Sequence, residues 1–222
     1  RYSFNVLDPT TTVPYIQVQV VGSGTAASLL WKGGDAGNPN AWDFQTTSNW
    51  LNGASLDKFY SGDNLTFDDT STTGSVTLIG TLSPAGVALN NSTLPYTFGG
   101  SGAIASGYFT NWNGGSLLVN NSAPNTFNGL DLESGTVTLA NAAANTFSGP
   151  VVVKAGSLTF ANAGINTFGT GIDLTGGTLT FNQPDNTAVF AAIGNATPGI
   201  AGALVKQGSN VLTLAGNNAN FD

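Results

Sequence analysis

Between residues 125 and 181 apolar positions come in short alternating bursts separated by Gly-, Asn- and Ser-rich breaks. Leu130-Asp131-Leu132 and Thr136-Val137-Thr138-Leu139 are followed by Val151-Val152-Val153 and Ser157-Leu158-Thr159-Phe160. Ile172-Asp173-Leu174 and Thr178-Leu179-Thr180-Phe181 come next. Period-2 alternation over three or four residues predicts strands of that length, each with one buried face. A glycine (Gly135, Gly156, Gly177) closes the turn inside each pair of strands. Each copy is introduced by the same tripeptide: Asn125-Thr126-Phe127, Asn145-Thr146-Phe147 and Asn166-Thr167-Phe168, with a degenerate Asn186-Thr187 after them. The spacings are 20, 21 and 20 residues.

A fixed period near 20 residues predicts an all-β solenoid, because strands this short bury a face only by stacking on their neighbours. A sandwich or an up-and-down barrel does not need the same residue type at the same phase. A coil does, since equivalent positions lie one above another about 4.8 Å apart. The reading therefore predicts an aromatic stack of Phe127, Phe147 and Phe168 and an amide ladder of Asn125, Asn145 and Asn166. An aliphatic column of Val137, Leu158 and Leu179 follows from the same register. Aligning the turn glycines also places Lys154 one rung above Glu133, an exposed pair worth about 0.5 kcal/mol.

The repeat fades on both sides. Gly114-Gly115-Ser116-Leu117-Leu118-Val119 and Gly208-Ser209-Asn210-Val211-Leu212-Thr213-Leu214 each resemble the second strand of a rung. Asn220-Phe221, where another rung begins, precedes the final Asp222, and nothing there resembles a polar cap. Upstream, the strands Tyr15 to Val21, Leu65 to Phe67 and Val76 to Ile79 are irregular. Trp31, Trp42 and Trp50 cluster within 20 residues. The chain opens with a Tyr2-Phe4-Val6 alternation and then Asp8-Pro9, a strand leading into a turn. The organisation expected is a strand extension over residues 1–28, a Trp-rich part of the solenoid over 29–110, and regular repeats over 111–222.

Composition narrows the class. Of 222 residues only 8% are charged, yet 41% are hydrophobic, and 30 are Gly. Regular Val, Leu, Ile and Phe argue against disorder, and the Gly- and Asn-rich remainder suits frequent tight corners. The net charge is −7, and the five basic residues Arg1, Lys32, Lys58, Lys154 and Lys206 are scattered. A nucleic-acid footprint is therefore missing, and acidic membrane surfaces would repel the chain. The charge-free stretch Ala188 to Val205 carries Asn195, Thr197, Pro198 and three Gly, so membrane insertion is not expected. With no Cys, His or Met, nothing is easily oxidised, which suits an extracellular setting. The opening at Arg1 points to a processed product or a fragment.

The segment from Gly202 to Asn217, through Leu204, Lys206, Gly208, Leu212, Leu214 and Gly216, resembles the autotransporter-associated β-strand repeat, with its Gly-x-Leu-x-Lys-x-Gly-x-x-x-Leu-x-Leu-x-Gly-x-Asn pattern. Leu30-Trp31-Lys32-Gly33-Gly34, Ala41-Trp42-Asp43, Ser48-Asn49-Trp50 and Gly62-Asp63-Asn64-Leu65-Thr66-Phe67-Asp68-Asp69 are similar to the start of passenger regions in that group. The resemblance covers about residues 29–222. It implies a right-handed parallel β-helix, an extracellular or bacterial cell-surface location, and an adhesive or structural role. Residues 1–28 fall outside it. No translocating barrel follows Asp222, so self-transport is not expected.

Three sets of residues carry candidate chemistry. The absence of His and Cys excludes nucleophile–His triads and thiolate chemistry. Asp131 and Asp173 share a phase two rungs apart, about 9.6 Å, near the upper separation of an inverting glycosidase pair. With no basic residue expected beside them, solvated surface carboxylates are the default, and the chain is read as non-enzymatic. Asp63, Asp68 and Asp69, with Asp57 nearby, are candidate Ca²⁺ ligands, though their spacing matches neither an EF-hand nor the nonapeptide calcium repeat. Trp31, Trp42 and Trp50 are read as a plug closing the core, in preference to a carbohydrate-stacking surface. The sequons at Asn64 and Asn120 are what an Asn- and Thr-rich chain produces by chance.

The functional expectation is an extracellular structural protein whose subunits join head to tail into a filament. The last rung would continue into the next protomer, and residues 1–22 would add a strand to the neighbour. Tyr2, Phe4, Val6, Tyr15, Ile16, Val18, Val20 and Phe221 are the candidate joining residues. The alternatives are a passenger fragment of a large adhesin binding glycans or other cells, and a polysaccharide hydrolase or lyase.

Overall fold

The computed structural model describes residues 3–7, 17–21, 25–189, 191–194 and 202–216, which are all β and turn with no helix. From residue 64 onward the chain winds through about seven turns of roughly 21 residues. Each turn lays one strand on each of three faces. The first face stacks Ser28–Trp31, Asn64–Asp68, Gly86–Asn90, Tyr108–Asn111, Gly129–Leu132, Val151–Val153, Ile172–Leu174 and Ile193–Gly194 in parallel. The second stacks Ala41–Trp42, Ser75–Leu78, Tyr96–Gly100, Ser116–Val119, Thr136–Leu139, Ser157–Phe160, Thr178–Phe181 and Ala203–Lys206. The third is made of shorter pairs, among them Thr126–Phe127, Thr146–Phe147 and Thr167–Phe168.

Alternation turns every second residue inward. Val137, Leu158 and Leu179 are in register and at most 3% exposed. Phe147 lies between Phe127 and Phe168, with centroids at 5.1 and 5.3 Å and planes within 22° and 6° of parallel. At the corner between the first and second faces the glycines also stack. Gly135 and Gly156 have φ of +82° and +77°, and a Cβ on Gly156 would lie 2.1 Å from the Gly135 carbonyl oxygen. Only glycine fits a left-handed turn pressed against the turn beneath it.

The leading part of the coil is more regular than its sequence. Phe67, Leu89, Asn111, Leu132, Val153 and Leu174 form one inward column, and the ladder passes residue 110 without interruption. The repeat is invisible there because the core requires matched volume, not matched identity. Asn111 is 2% exposed, with its Nδ2 donating to the Gly115 carbonyl at 3.1 Å and its Oδ1 left without a partner in the core.

The leading end is closed. Trp50–Asn52 pairs antiparallel with Ser28–Trp31, and Ser55–Asp57 folds back on it, so the first face ends in a hairpin and not in a rung. Residues 3–7 and 17–21 form a second antiparallel hairpin, with Phe4 opposite Val20 and Val6 opposite Val18. The two apolar alternations read as separate strands therefore pair with each other. Tyr2, Tyr15, Ile16 and Phe221 lie outside the described residues.

Replacing Phe147, fully buried in the middle of the stack, with Ala should cost about 3–5 kcal/mol. Urea unfolding measures this; a variant as stable as the parent would rule out a continuous aromatic column.

Candidate functional site

The amide ladder lies inside the corner between the second and third faces. Asn125, Asn145 and Asn166 are 1%, 1% and 4% exposed. One rung-to-rung amide bond joins them, Asn125 Nδ2 to Asn145 Oδ1 at 3.2 Å. The dominant partner lies four residues earlier in the same rung. Asn121 and Asn125 exchange two bonds (3.0 and 2.9 Å), as do Asn162 and Asn166 (2.8 and 3.0 Å), and Asn145 Nδ2 donates to Asn141 Oδ1 at 2.8 Å.

Neighbouring rungs are then tied through backbone groups. Ile104 N–H donates to Asn125 Oδ1 and Asn145 N–H to Asn166 Oδ1. The first amide of each pair donates to a carbonyl of the preceding rung: Gly102, Ala123 and Ala143 accept from Asn121, Asn141 and Asn162. Each buried amide thus has partners in two rungs, and the corner carries almost no unpaired polarity.

Asn121, Asn141 and Asn162 are the residues that the tripeptide reading missed. Their signal was an Asn-x-x-x-Asn spacing repeated three times. The device continues with different chemistry at Gln183 and Thr187, where the Thr187 hydroxyl donates to Gln183 Oε1 at 2.9 Å and Gln183 Nε2 to the Gly164 carbonyl. The degenerate Asn186-Thr187 is therefore one residue out of phase. Thr187 occupies the ladder position, while Asn186 reaches the Val211 N–H from the surface.

The candidate calcium ligands diverge. Asp63 is 1% exposed and accepts from the N–H groups of Ala27 and Tyr60. Asp68 accepts from the backbone and hydroxyl of Thr70. Asp69 reaches the next rung and accepts from the N–H groups of Ser92, Thr93 and Leu94 and the Ser92 hydroxyl, at 2.7–3.1 Å. These bonds, with Leu94 N–H the strongest influence, hold its carboxyl far below the usual range. Each carboxylate pins a different loop, and no group of three acidic residues capable of holding a metal occurs among the described residues.

Asp131 and Asp173 take the same outward phase on the first face, with Val152 between them. Contrary to expectation a basic residue does stand beside Asp131. Lys154 contacts Asp131 at 2.9 Å and Glu133 at 2.5 Å. The two carboxylates, Glu133 foremost, raise the Lys154 pKa, so its ammonium is held charged.

Trp31, Trp42 and Trp50 are fully buried and meet edge to face, at 5.0 Å for Trp31–Trp50 and 5.6 Å for Trp42–Trp50, against Phe59, Phe67 and Phe98. The Trp31 indole donates to the Thr73 carbonyl. None of the three offers a face to a sugar.

The geometry defines a parallel β-solenoid with a satisfied internal amide ladder. No family model matches the chain, nor does any characterised protein or solved structure.

Two outcomes test the polar network. Asn145→Ala should cost about 2 kcal/mol in chemical unfolding, because it leaves the buried Asn141 Oδ1 without its donor and takes one of two acceptors from Asn125 Nδ2. Asp69 carries a depressed folded-state pKa, so its contribution is present above the unfolded value of about 3.9 and is lost as pH falls below it. The wild-type melting temperature should drop with acidification through this range. Asp69→Asn should flatten part of that slope, and identical slopes in the two proteins would exclude the role.

Proposed function

We propose that this chain is an extracellular, bacterial cell-surface structural protein, non-enzymatic, that builds fibres by strand addition between copies. The difference between its two ends carries this reading. At the leading end the Trp50–Asn52 and Ser55–Asp57 strands close the first face, and the short outermost strand ends in charge at Asp57 and Lys58. Short charged edges resist pairing with another chain. At the trailing end no strand among the described residues lies beyond Ile193–Gly194, Ala203–Lys206 and Leu212–Leu214, and Val211 and Leu214 are 59% and 39% exposed.

The hairpin of residues 3–7 and 17–21 supplies the complementary part. A lone two-stranded hairpin is marginal in water and gains by joining a sheet. An edge strand offers it main-chain hydrogen bonds, with alternating side chains to set register. Because the closed leading end opposes direct continuation of one coil into another, joining runs through the hairpin to the trailing edge of a neighbour. Such a heterologous contact propagates into a filament unless rotation closes it. The resemblance to autotransporter-associated repeats supports the surface location, and the Lys154 ion pair on Asp131 supports the non-enzymatic reading over a hydrolase or lyase.

The last described strands, Ala203–Lys206 and Leu212–Leu214, keep the form of a rung, which also favours a second reading, in which the coil is one stretch of a longer adhesin. Intact mass of material from the native surface separates the two: near 22.5 kDa for subunits, far larger for an adhesin. Deleting residues 1–22 should leave a folded monomer with unchanged β-sheet circular dichroism and no fibres by negative-stain electron microscopy. Fibres that persist after the deletion refute strand addition by this segment.

A further inference from the structure

Three tryptophans are buried and the fourth is not. Trp112 is 53% exposed on the outer corner where the chain leaves the first face. Its position follows from alternation: Phe109 and Asn111 turn inward, Thr110 and Trp112 outward.

The register gives this indole defined neighbours. Asp68 pairs with Asn90, and the next residues up the corner are Trp112, Glu133, Lys154 and Thr175. Backbone bonds hold the upper members in line. Trp112 N–H donates to the Leu89 carbonyl, Glu133 to Asn111, Lys154 to Leu132 and Thr175 to Val153. Six side chains therefore form one outer column at about 4.8 Å intervals, with a single flat apolar face flanked by a carboxamide below and a carboxylate and an ammonium above. Asn113 adds a second exposed carboxamide and ties the corner down by donating to the Asn90 carbonyl. The rigid ladder under the column means that little ordering entropy is lost when a ligand settles on it.

From this arrangement we propose that the Trp112 column binds a neutral glycan chain, one pyranose ring stacking on the indole while its hydroxyls bond to Asn90, Asn113 and Glu133. A pyranose has a flat C–H face rimmed by hydroxyls, and the column offers the matching order of groups: apolar in the centre, donors and acceptors on either side. Peptide ligands fit less well, because the backbone at this corner is already paired from rung to rung and offers no edge for strand addition. Acidic glycans are disfavoured by the net charge of −7 and by Glu133, the next residue above the indole in the column, while Lys154 beyond it is engaged by two carboxylates. The site does not depend on fibre formation, since every residue in it lies within one copy.

Native electrophoresis of the full chain through gels containing a soluble mannan, a β-glucan or a xyloglucan tests the proposal, with polygalacturonate as the acidic comparison. At least one neutral polysaccharide should retard the wild type. Trp112→Ala should weaken that retardation by about tenfold or more, as for an interface hot spot, while Trp112→Phe keeps part of it. Because Trp112 is exposed, Trp112→Ala should melt with the wild type. If it does not, acrylamide quenching of the wild type decides, since a bound polysaccharide must shield the one accessible indole. No retardation by any of the three neutral polymers overturns the proposal. So does retardation unchanged in Trp112→Ala, preference for polygalacturonate, or unaltered quenching in the presence of a retarding polymer.

Discussion

In-register stacking of one coil on the next, about 4.8 Å apart, is the constraint from which the rest of this structure follows. Parallel rungs hydrogen-bond through their backbones only if their corners coincide. A corner that coincides in every turn must solve its local problem in every turn. At the first corner the solution is glycine, because a left-handed residue pressed against the carbonyl below leaves no volume for a Cβ. At the second it is asparagine in three rungs, because the turn buries backbone groups that a short amide reaches, and Gln183 with Thr187 in the next. The Asn-x-x-x-Asn pair meets this need within a rung and between rungs at once.

The same constraint explains why charge is scarce and where it appears. Identical charges stacked at this spacing repel, so a solenoid surface favours Thr, Ser, Asn and Gly. Where acids occur they are either compensated from a neighbouring rung, as Lys154 does for Asp131 and Glu133, or absorbed by backbone N–H groups, as for Asp69. Carboxylates that look in sequence like metal ligands are thus engaged by loop donors, Asp63 and Asp69 joining separate segments and Asp68 its own turn.

The leading end of the described stack is closed. Aromatic packing of Trp31, Trp42 and Trp50 with Phe59, Phe67 and Phe98 closes the leading end, reinforced by an antiparallel hairpin. Burial extends beyond the indoles: the Tyr96 phenol, which donates to the Asp68 carbonyl, has its pKa pushed up to about 12 by desolvation. The trailing strands keep the form of a rung. This polarity underlies the proposed direction of assembly, whereas the outer column around Trp112 belongs to the side of the coil and is offered at every stage of it.

Period, strand length, the phase of Phe127, Phe147 and Phe168, and the placing of Lys154 above Glu133 were all legible in the chain, because stacking in register converts a spatial neighbour into a residue about 21 positions away. Regularity between residues 64 and 111 was hidden: Phe67, Leu89 and Asn111 share one core column, and packing selects for volume summed over neighbours, which no single position displays. The partner of Asn125 was equally hidden, since a corner four residues long can turn its amide along the coil axis or across it, and only the folded turn decides. A core plug of Trp31, Trp42 and Trp50 was legible in the chain, but how the three rings meet was decided by the tertiary structure alone. Their contact depends on how the chain closes its first turn, through the antiparallel pairing of Trp31 with Trp50, and that pairing is set by geometry between distant segments and not by any local pattern.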